Sequence, residues 1–417
     1  MTEADILEQN AALSDHSWAK LSVAAWLADH RGGEIGANSL FSGFCEGLVK
    51  QGIPLFRVSL SLRDSHPQIA ARGFFWVREQ GTEVVAYDFT DRDEEGYTLS
   101  PIKVINEGAA GLRRHLTGPK AQLDFPVMAE LRDAGSTDFV AMPLCFSDGS
   151  RHYVSLTTDR PSGFTTHELQ CIDELIPLFS LRIEIEHARY TARTLMQTYL
   201  GHEAARRVTA GAIRRGEGES IEAIVLFCDL RGFTRLVELN NPAEVIDTLS
   251  MYYEAVAGPV QDFGGDIVKM MGDGILVIFP LDKDADAKSC NRRACGAVAA
   301  VNRSIANLNS IKPDELPGNV TQLRAGFALH YGEITFGNIG SLDRLDFTVI
   351  GSAVNQAVRA ENLTKQLQLP LVTTNSFADL DSTIELRSLG FHVLRGVPEP
   401  VEIFTLEKNE TFDPHVS

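Results

Sequence analysis

Two carboxylates in the second half of the chain each follow an apolar strand pattern, and chemistry is expected there first. Asp229 closes the run Ala223-Ile224-Val225-Leu226-Phe227-Cys228. Asp273 stands at the tip of Lys269-Met270-Met271-Gly272-Asp273-Gly274, a glycine-flanked hairpin turn. Hard oxygen ligands on neighbouring strand ends suit Mg²⁺ when substrate phosphates complete its coordination. Taken singly, either acid is better explained as a turn residue. The segment after Asp229 shifts that balance. Leu230-Arg231-Gly232-Phe233-Thr234 is a short loop entering a helix, and its backbone N–H groups can face a polyphosphate, with glycine allowing close approach. Further on, Asn355 and Arg359 lie at i and i+4 and share one helix face.

The elements that must position these residues read as an alternation of strands and helices. Ile221–Phe227 is a strand and Pro242–Val256 a helix, followed by the strand pair Asp266–Met271 and Gly274–Phe279. Asp284–Ile305 reads as helix, Leu323–His330 and Glu333–Ile339 as a second strand pair, Phe347–Ile350 as a strand and Ala353–Gln366 as a helix. Phe391–Arg395 and Val401–Leu406 read as closing strands. A mostly antiparallel sheet with helices on one face, ferredoxin-like at its centre, accounts for this order.

The first half has a different grammar. Helical stretches at about Ser17–Asp29 and Ser39–Lys50 precede period-two segments at Leu55–Leu62, Ile69–Val77 and Glu83–Phe89. An irregular middle leads to strands at Asp138–Phe146 and His152–Thr157, joined by Ser147-Asp148-Gly149-Ser150, and then to a long helical pattern from about Thr166 to Leu200. Its apolar positions fit a parallel coiled coil between two chains and a helix packed on its own sheet equally well. Residues 201–220, with Arg206, Arg207, Arg214 and Arg215, read as a short connector.

Composition narrows the function classes. The chain has 417 residues, with Lys plus Arg at 38 and Asp plus Glu at 56, a net charge of 38 − 56 = −18. That argues against duplex DNA and anionic membrane surfaces as partners, but not against phosphate substrates held by a metal and a few cations. No apolar run is long enough to span a membrane, and the acidic start does not read as a signal peptide. Six scattered cysteines without a C-x-x-C pair read as free thiols of a reducing, cytoplasmic compartment. His202, His330 and the other histidines show no metal-ligand spacing and read as surface or satisfied core residues.

Three segments then carry a specific resemblance. Phe227-Cys228-Asp229-Leu230-Arg231-Gly232-Phe233-Thr234, Gly264-Gly265-Asp266-Ile267-Val268-Lys269-Met270-Met271-Gly272-Asp273-Gly274 and Asp346-Phe347-Thr348-Val349-Ile350-Gly351-Ser352-Ala353-Val354-Asn355-Gln356-Ala357-Val358-Arg359 resemble, in order, three motifs of the class III nucleotidyl cyclases. The resemblance spans about residues 219–407 and implies an α+β cyclase domain. It implies Asp229 and Asp273 as ligands of two Mg²⁺ ions per site, with Mn²⁺ able to substitute. Lys269 and Thr348 match the base-reading pair, in the combination of a bacterial adenylyl subgroup that is often bicarbonate-responsive. Asn355 matches the ribose-orienting residue, and Arg359 the arginine that stabilises charge on the α-phosphoryl group, a role suited to planar donors. Arg324 matches a triphosphate-binding arginine, and Gly232, Phe233 and Thr234 belong to the substrate loop. Arg395 stands where the family often has lysine, keeping the charge but not the geometry. Gly264-Gly265-Asp266 begins like a diguanylate cyclase signature, but Ile267-Val268 does not continue it.

The resemblance implies an adenylate cyclase acting on ATP at sites shared by an antiparallel homodimer. A guanylate cyclase and a silent nucleotide-binding or interaction module are the alternatives. Ala141-Met142-Pro143-Leu144, Gly149, Val154-Ser155-Leu156 and Gly163-Phe164-Thr165 resemble the closing part of a GAF domain, though a PAS-like or unrelated α+β module fits as well. The expected organisation is an α+β sensor domain at 1–165, a signalling helix and connector at 166–218, the catalytic domain at 219–407 and a tail at 408–417. The ligand sensed by the first domain is left open.

Overall fold

Period-two alternation marks Arg57–Arg63 in the first half, whereas the apolar runs of Gly218–Leu230 and Gly274–Pro280 in the second make strands buried on both faces. The computed structural model describes residues 22–407 apart from 30–32, 34, 65–67, 90–93, 212–213, 217, 282–286, 311–321 and 342. The beginning of the helix expected from Ser17 and the tail at 408–417 lie outside the described residues. The chain divides into two units, residues 1–195 and 196–417.

In the first unit, helices α1 (Val23–Ala28) and α2 (Ala37–Lys50) precede strands β1 (Arg57–Arg63), β2 (Ile69–Val77) and β3 (Gly81–Asp88). The stretch read as irregular holds short helices α3 (Glu94–Thr98) and α4 (Pro101–Asn106), strand β4 (Leu112–His115) and helix α5 (Pro126–Asp133). Strands β5 (Asp138–Cys145) and β6 (Arg151–Thr158) then lead into α6 (Thr166–Leu200). The six strands form one sheet in the order β3-β2-β1-β6-β5-β4. Phe41 and Phe44 of α2 and Phe179 and Ile183 of α6 cover one face, with Phe44 and Phe179 stacked at 4.1 Å. Ile105, Met128 and Leu131 cover the other, against Phe139 and Tyr153. The buried positions of α6 end at Glu186, so its first half packs on its own sheet.

The second unit opens with a helix the sequence reading took for connector, α7 (His202–Thr209), whose Ala204 and Ala205 are buried. Then come β7 (Gly218–Leu230), α8 (Phe233–Leu239), α9 (Pro242–Asp262), β8 (Asp266–Met271), β9 (Gly274–Pro280) and α10 (Ala287–Asn309). Strands β10 (Ala325–Gly340) and β11 (Leu345–Ile350), α11 (Ser352–Leu367), β12 (Leu371–Thr374), α12 (Asn375–Ala378), β13 (Leu386–His392) and β14 (Val401–Leu406) complete it. The sheet order is β13-β14-β12-β10-β7-β9-β8, with β11 paired to β10. Its centre, β10-β7-β9-β8, is the expected ferredoxin-like arrangement.

Three expectations are corrected. The two strands expected at Leu323–His330 and Glu333–Ile339 are one continuous strand, paired to β7 from Ala325↔Leu230 to Gly337↔Gly218. Tyr331-Gly332 is not a turn. Gly332 lies where a Cβ would meet the Ala353 methyl at 2.9 Å, so the glycine admits a helix rather than a reversal. Helices also cover both faces of the sheet, not one. Ile224, Leu226 and Cys228 face α9 and α10, whereas Ala223, Val225 and Phe227 face α7 and α11. Finally, α9 runs past Val256 to Asp262 despite Pro259, because Val260 and Phe263 are core residues. Its start obeys local rules: Asn241 and Glu244 form a capping box, with Pro242 at the first helical position.

Candidate active site

Strand register brings the two aspartates together. Asp229 pairs with Gly274 across β7 and β9, which places it beside Asp273 in the preceding turn. The Leu230 N–H donates to the Asp273 carbonyl at 3.3 Å, pinning the turn to the strand end. Gly272, with φ 63, makes the reversal, and Tyr253 of α9 props it by donating its hydroxyl to the Gly272 carbonyl. Burial, and then the negative charge of Asp229, push the Asp273 carboxyl above the usual carboxylate range. Such a pair favours a bound cation.

Among the described residues there is no cluster of three or more His, Cys, Asp or Glu side chains suited to a metal. Two hard carboxylates at one strand-end corner nonetheless fit a divalent ion whose other ligands come from substrate phosphates and water. The donor set matches Mg²⁺ or Mn²⁺ and would not suit a self-contained structural site.

Around this corner, Gly232 adopts the left-handed conformation at φ 78 and turns the chain into α8. Phe233 packs into the core while Thr234 is exposed. The Arg231 N–H donates to the Arg324 carbonyl at 2.8 Å, fixing the base of Arg324 beside the loop. The Arg324 side chain holds Gln322 Oε1 through Nη2 at 2.6 Å.

A second cluster forms where β8 meets β11. Lys269 donates its ammonium to Asp346 Oδ2, and Thr348 stands two residues further along β11, half-buried and opposite Gly337. Alternation places Asp346 and Thr348 on one side of the strand. On α11, Asn355 is exposed and Arg359 half-buried. A Cβ on Gly396 would lie 3.4 Å from Arg359 Nη2, so the guanidinium rests against that glycine, next to the exposed Arg395.

Helix α11 bonds to the aspartate corner through a residue other than Asn355 and Arg359. Lys365 Nζ donates to Asp229 Oδ2 at 2.6 Å. Lys365 lies six residues beyond Arg359, about 9 Å along the helix. Partial burial works against the Lys365 ammonium, but its hydrogen bond and the charge of Asp229 leave its pKa above the ordinary value. Sequence reading missed Lys365 and Asp346. Neither falls at a position to which a role had been carried over, although Asp346 opens the third motif.

Residues 218–408 match the family described as Adenylate and Guanylate cyclase catalytic domain. They form a class III nucleotidyl cyclase catalytic domain. An uncharacterized protein of Mycobacterium tuberculosis is 32% identical over 220 residues, covering 51% of this chain and 38% of its own length. The adenylate cyclase of Anabaena cylindrica is 28% identical over 200 residues, covering 47% and 38%. The chain thus spans about 38% of the length of these curated relatives. Solved structures similar to the cyclase domain include the adenylyl cyclase CyaB from P. aeruginosa, at 25% identity and TM-score 0.42, covering 47% of this chain and 98% of that one. The guanylyl cyclase Cya2 is similar at 26% identity and TM-score 0.41, with the same coverage. Among the described residues no helix is long and apolar enough to cross a membrane.

Proposed function

We propose that the cyclase domain converts ATP to 3′,5′-cyclic AMP and pyrophosphate, at sites shared between two copies of the chain. The observation that carries this reading is the carboxylate pair Asp229 and Asp273 at one strand-end corner. These two would hold the metals. Two bound Mg²⁺ ions supply a lowered pKa for the ribose 3′-hydroxyl and neutralisation of the triphosphate.

The chain's own residues do the rest. Lys269 and Thr348, near each other on β8 and β11, read the purine. The Thr348 hydroxyl can accept from the exocyclic amine that adenine carries where guanine has a carbonyl. Asn355 orients the ribose, and Arg359 offers planar donors to charge developing on the α-phosphoryl group. Arg324 and Arg395 hold the polyphosphate. The Asp229 corner of one chain and the Arg359 end of α11 from its partner complete each site.

Purified protein with Mg²⁺ or Mn²⁺ and either ATP or GTP tests the assignment. Cyclic AMP is the expected product, and a preference for GTP would overturn the reading of Lys269 and Thr348. The first unit, a six-stranded α+β module, is read as a regulator acting through α6 and α7. A chain starting at residue 201 is then expected to differ from the full chain in basal rate. Equal rates and equal effector responses would reduce the first unit to assembly or localisation.

A further inference from the structure

Helix α11 approaches the aspartate corner because β10 makes room for it. Gly326 pairs with Asp229 in register, and a Cβ there would lie 2.5 Å from Glu361 Oε1 and 2.8 Å from Arg231 Nη2. Glu361 is 2% exposed and accepts from Thr364 Oγ1 at 2.9 Å. Three carboxylates, Asp229, Asp273 and Glu361, therefore gather around this contact. Arg231 spends its Nη2 donor on the Leu369 carbonyl at 3.2 Å. The cation bonded to an aspartate of the corner is Lys365, whose side chain is 49% exposed against 13% for Asp229.

We infer that Lys365 is a resident counter-cation of the metal-ligand aspartates and sets how tightly the corner takes a divalent ion. The inference rests on reading Asp229 and Asp273 as metal ligands. The oxygen that Lys365 holds is one a divalent ion would use, so the ion must share or displace that ammonium. A lysine on a half-exposed four-carbon stem can move aside, and a polyphosphate arriving with the ion offers it new acceptors. Lys365 thereby makes the corner a weak ion site alone and a strong one with nucleotide. It acts through Asp229 as a positioning residue.

The test is Mn²⁺ binding to the full chain, followed by the electron paramagnetic resonance signal of free Mn²⁺, without nucleotide and with a non-cyclisable ATP analogue. Lys365→Gln should bind Mn²⁺ roughly tenfold more tightly than wild type without nucleotide, and gain less from the analogue. Lys365→Arg, which keeps the charge, should stay near wild type. Unchanged or weaker binding by Lys365→Gln overturns the inference. Asp229→Asn separates the two levels. If it leaves Mn²⁺ binding intact, the metal reading itself fails. If it abolishes binding while Lys365→Gln matches wild type, only the role of Lys365 fails.

Discussion

Acid is held in opposite ways on the sheet of the first unit and at the strand-end corner of the second. In the first unit Asp138 is fully buried and saturated: it accepts from Arg113 Nη2 at 2.6 Å and from the Phe164 N–H at 2.9 Å. Asp64 is likewise closed by Arg72 and His187, with Arg72 lying 3.5 Å over the Tyr190 ring. In the second unit Asp229 and Asp273 are set side by side, and the partner bonded to Asp229 is a half-exposed lysine. Closed pairs hold a fold together. An under-compensated pair at a strand end is poised for an external cation.

The contrast can be broken in three ways. The largest effect is expected at the open corner. Asp229→Ala and Arg359→Ala should each cost about a thousandfold or more in turnover, because each removes several kcal/mol of charge stabilisation. Mixing the two inactive chains should restore partial activity if sites are shared, and an absence of recovery in confirmed mixed dimers would refute sharing. Next, Asp138→Ala should lower the stability of the first unit by about 3 kcal/mol, since it strips a charged acceptor from the Phe164 N–H and from Arg113. Denaturant unfolding would show this as an earlier transition of that unit, with Mn²⁺ binding at the corner unchanged.

A graded effect, reaching its full size only at acid pH, is a pH dependence that both units share. His152 in the first unit and His330 in the second are each pulled down to about 4, mainly by burial. Their neutral forms are favoured in the folded chain, so the unfolded chain takes up more protons between pH 6.5 and 4. Stability is therefore full above the ordinary histidine pKa and falls as pH drops through that window, by up to about 3 kcal/mol for each histidine. His152→Gln should weaken the dependence in the first unit, where burial also lowers the neighbouring His187, and leave that of the second unit unchanged, as read by unfolding at pH 7 and pH 5. An unaltered dependence would show that other groups dominate.

Much of the second unit was legible because its chemistry fixes residue types at short spacings. Asp229, Asp273 and Gly232 stand where strand ends and turns demand them, and the structure joins the aspartates through register. His330 is the satisfied core residue expected, bonded to Thr374 Oγ1 at 2.8 Å. Contacts made across long sequence separation were not legible. Nothing local in Lys365 reveals that helix packing over Gly326 carries it to Asp229, 136 residues away. Gly332 lies in the gap between the two expected strands, where a glycine that clears space for a helix carries the same local signal as one that turns the chain. In the first unit β4 escaped notice because its four residues, Leu112–His115, are all half-buried and show no period.

The continuous strand β10 has a consequence for how such chains can vary in length. Its odd positions Ala325, Phe327 and Leu329 face α9 and α10, while Gly326, Gly332, Ile334 and Phe336 face the α11 side. Inserting or deleting one residue anywhere along it would exchange these two sets downstream of the change. Glycines that admit α11 would then be traded for phenylalanine and leucine. Heritable length changes should therefore collect in the loops flanking β10, while the strand itself passes between generations as an unbroken count.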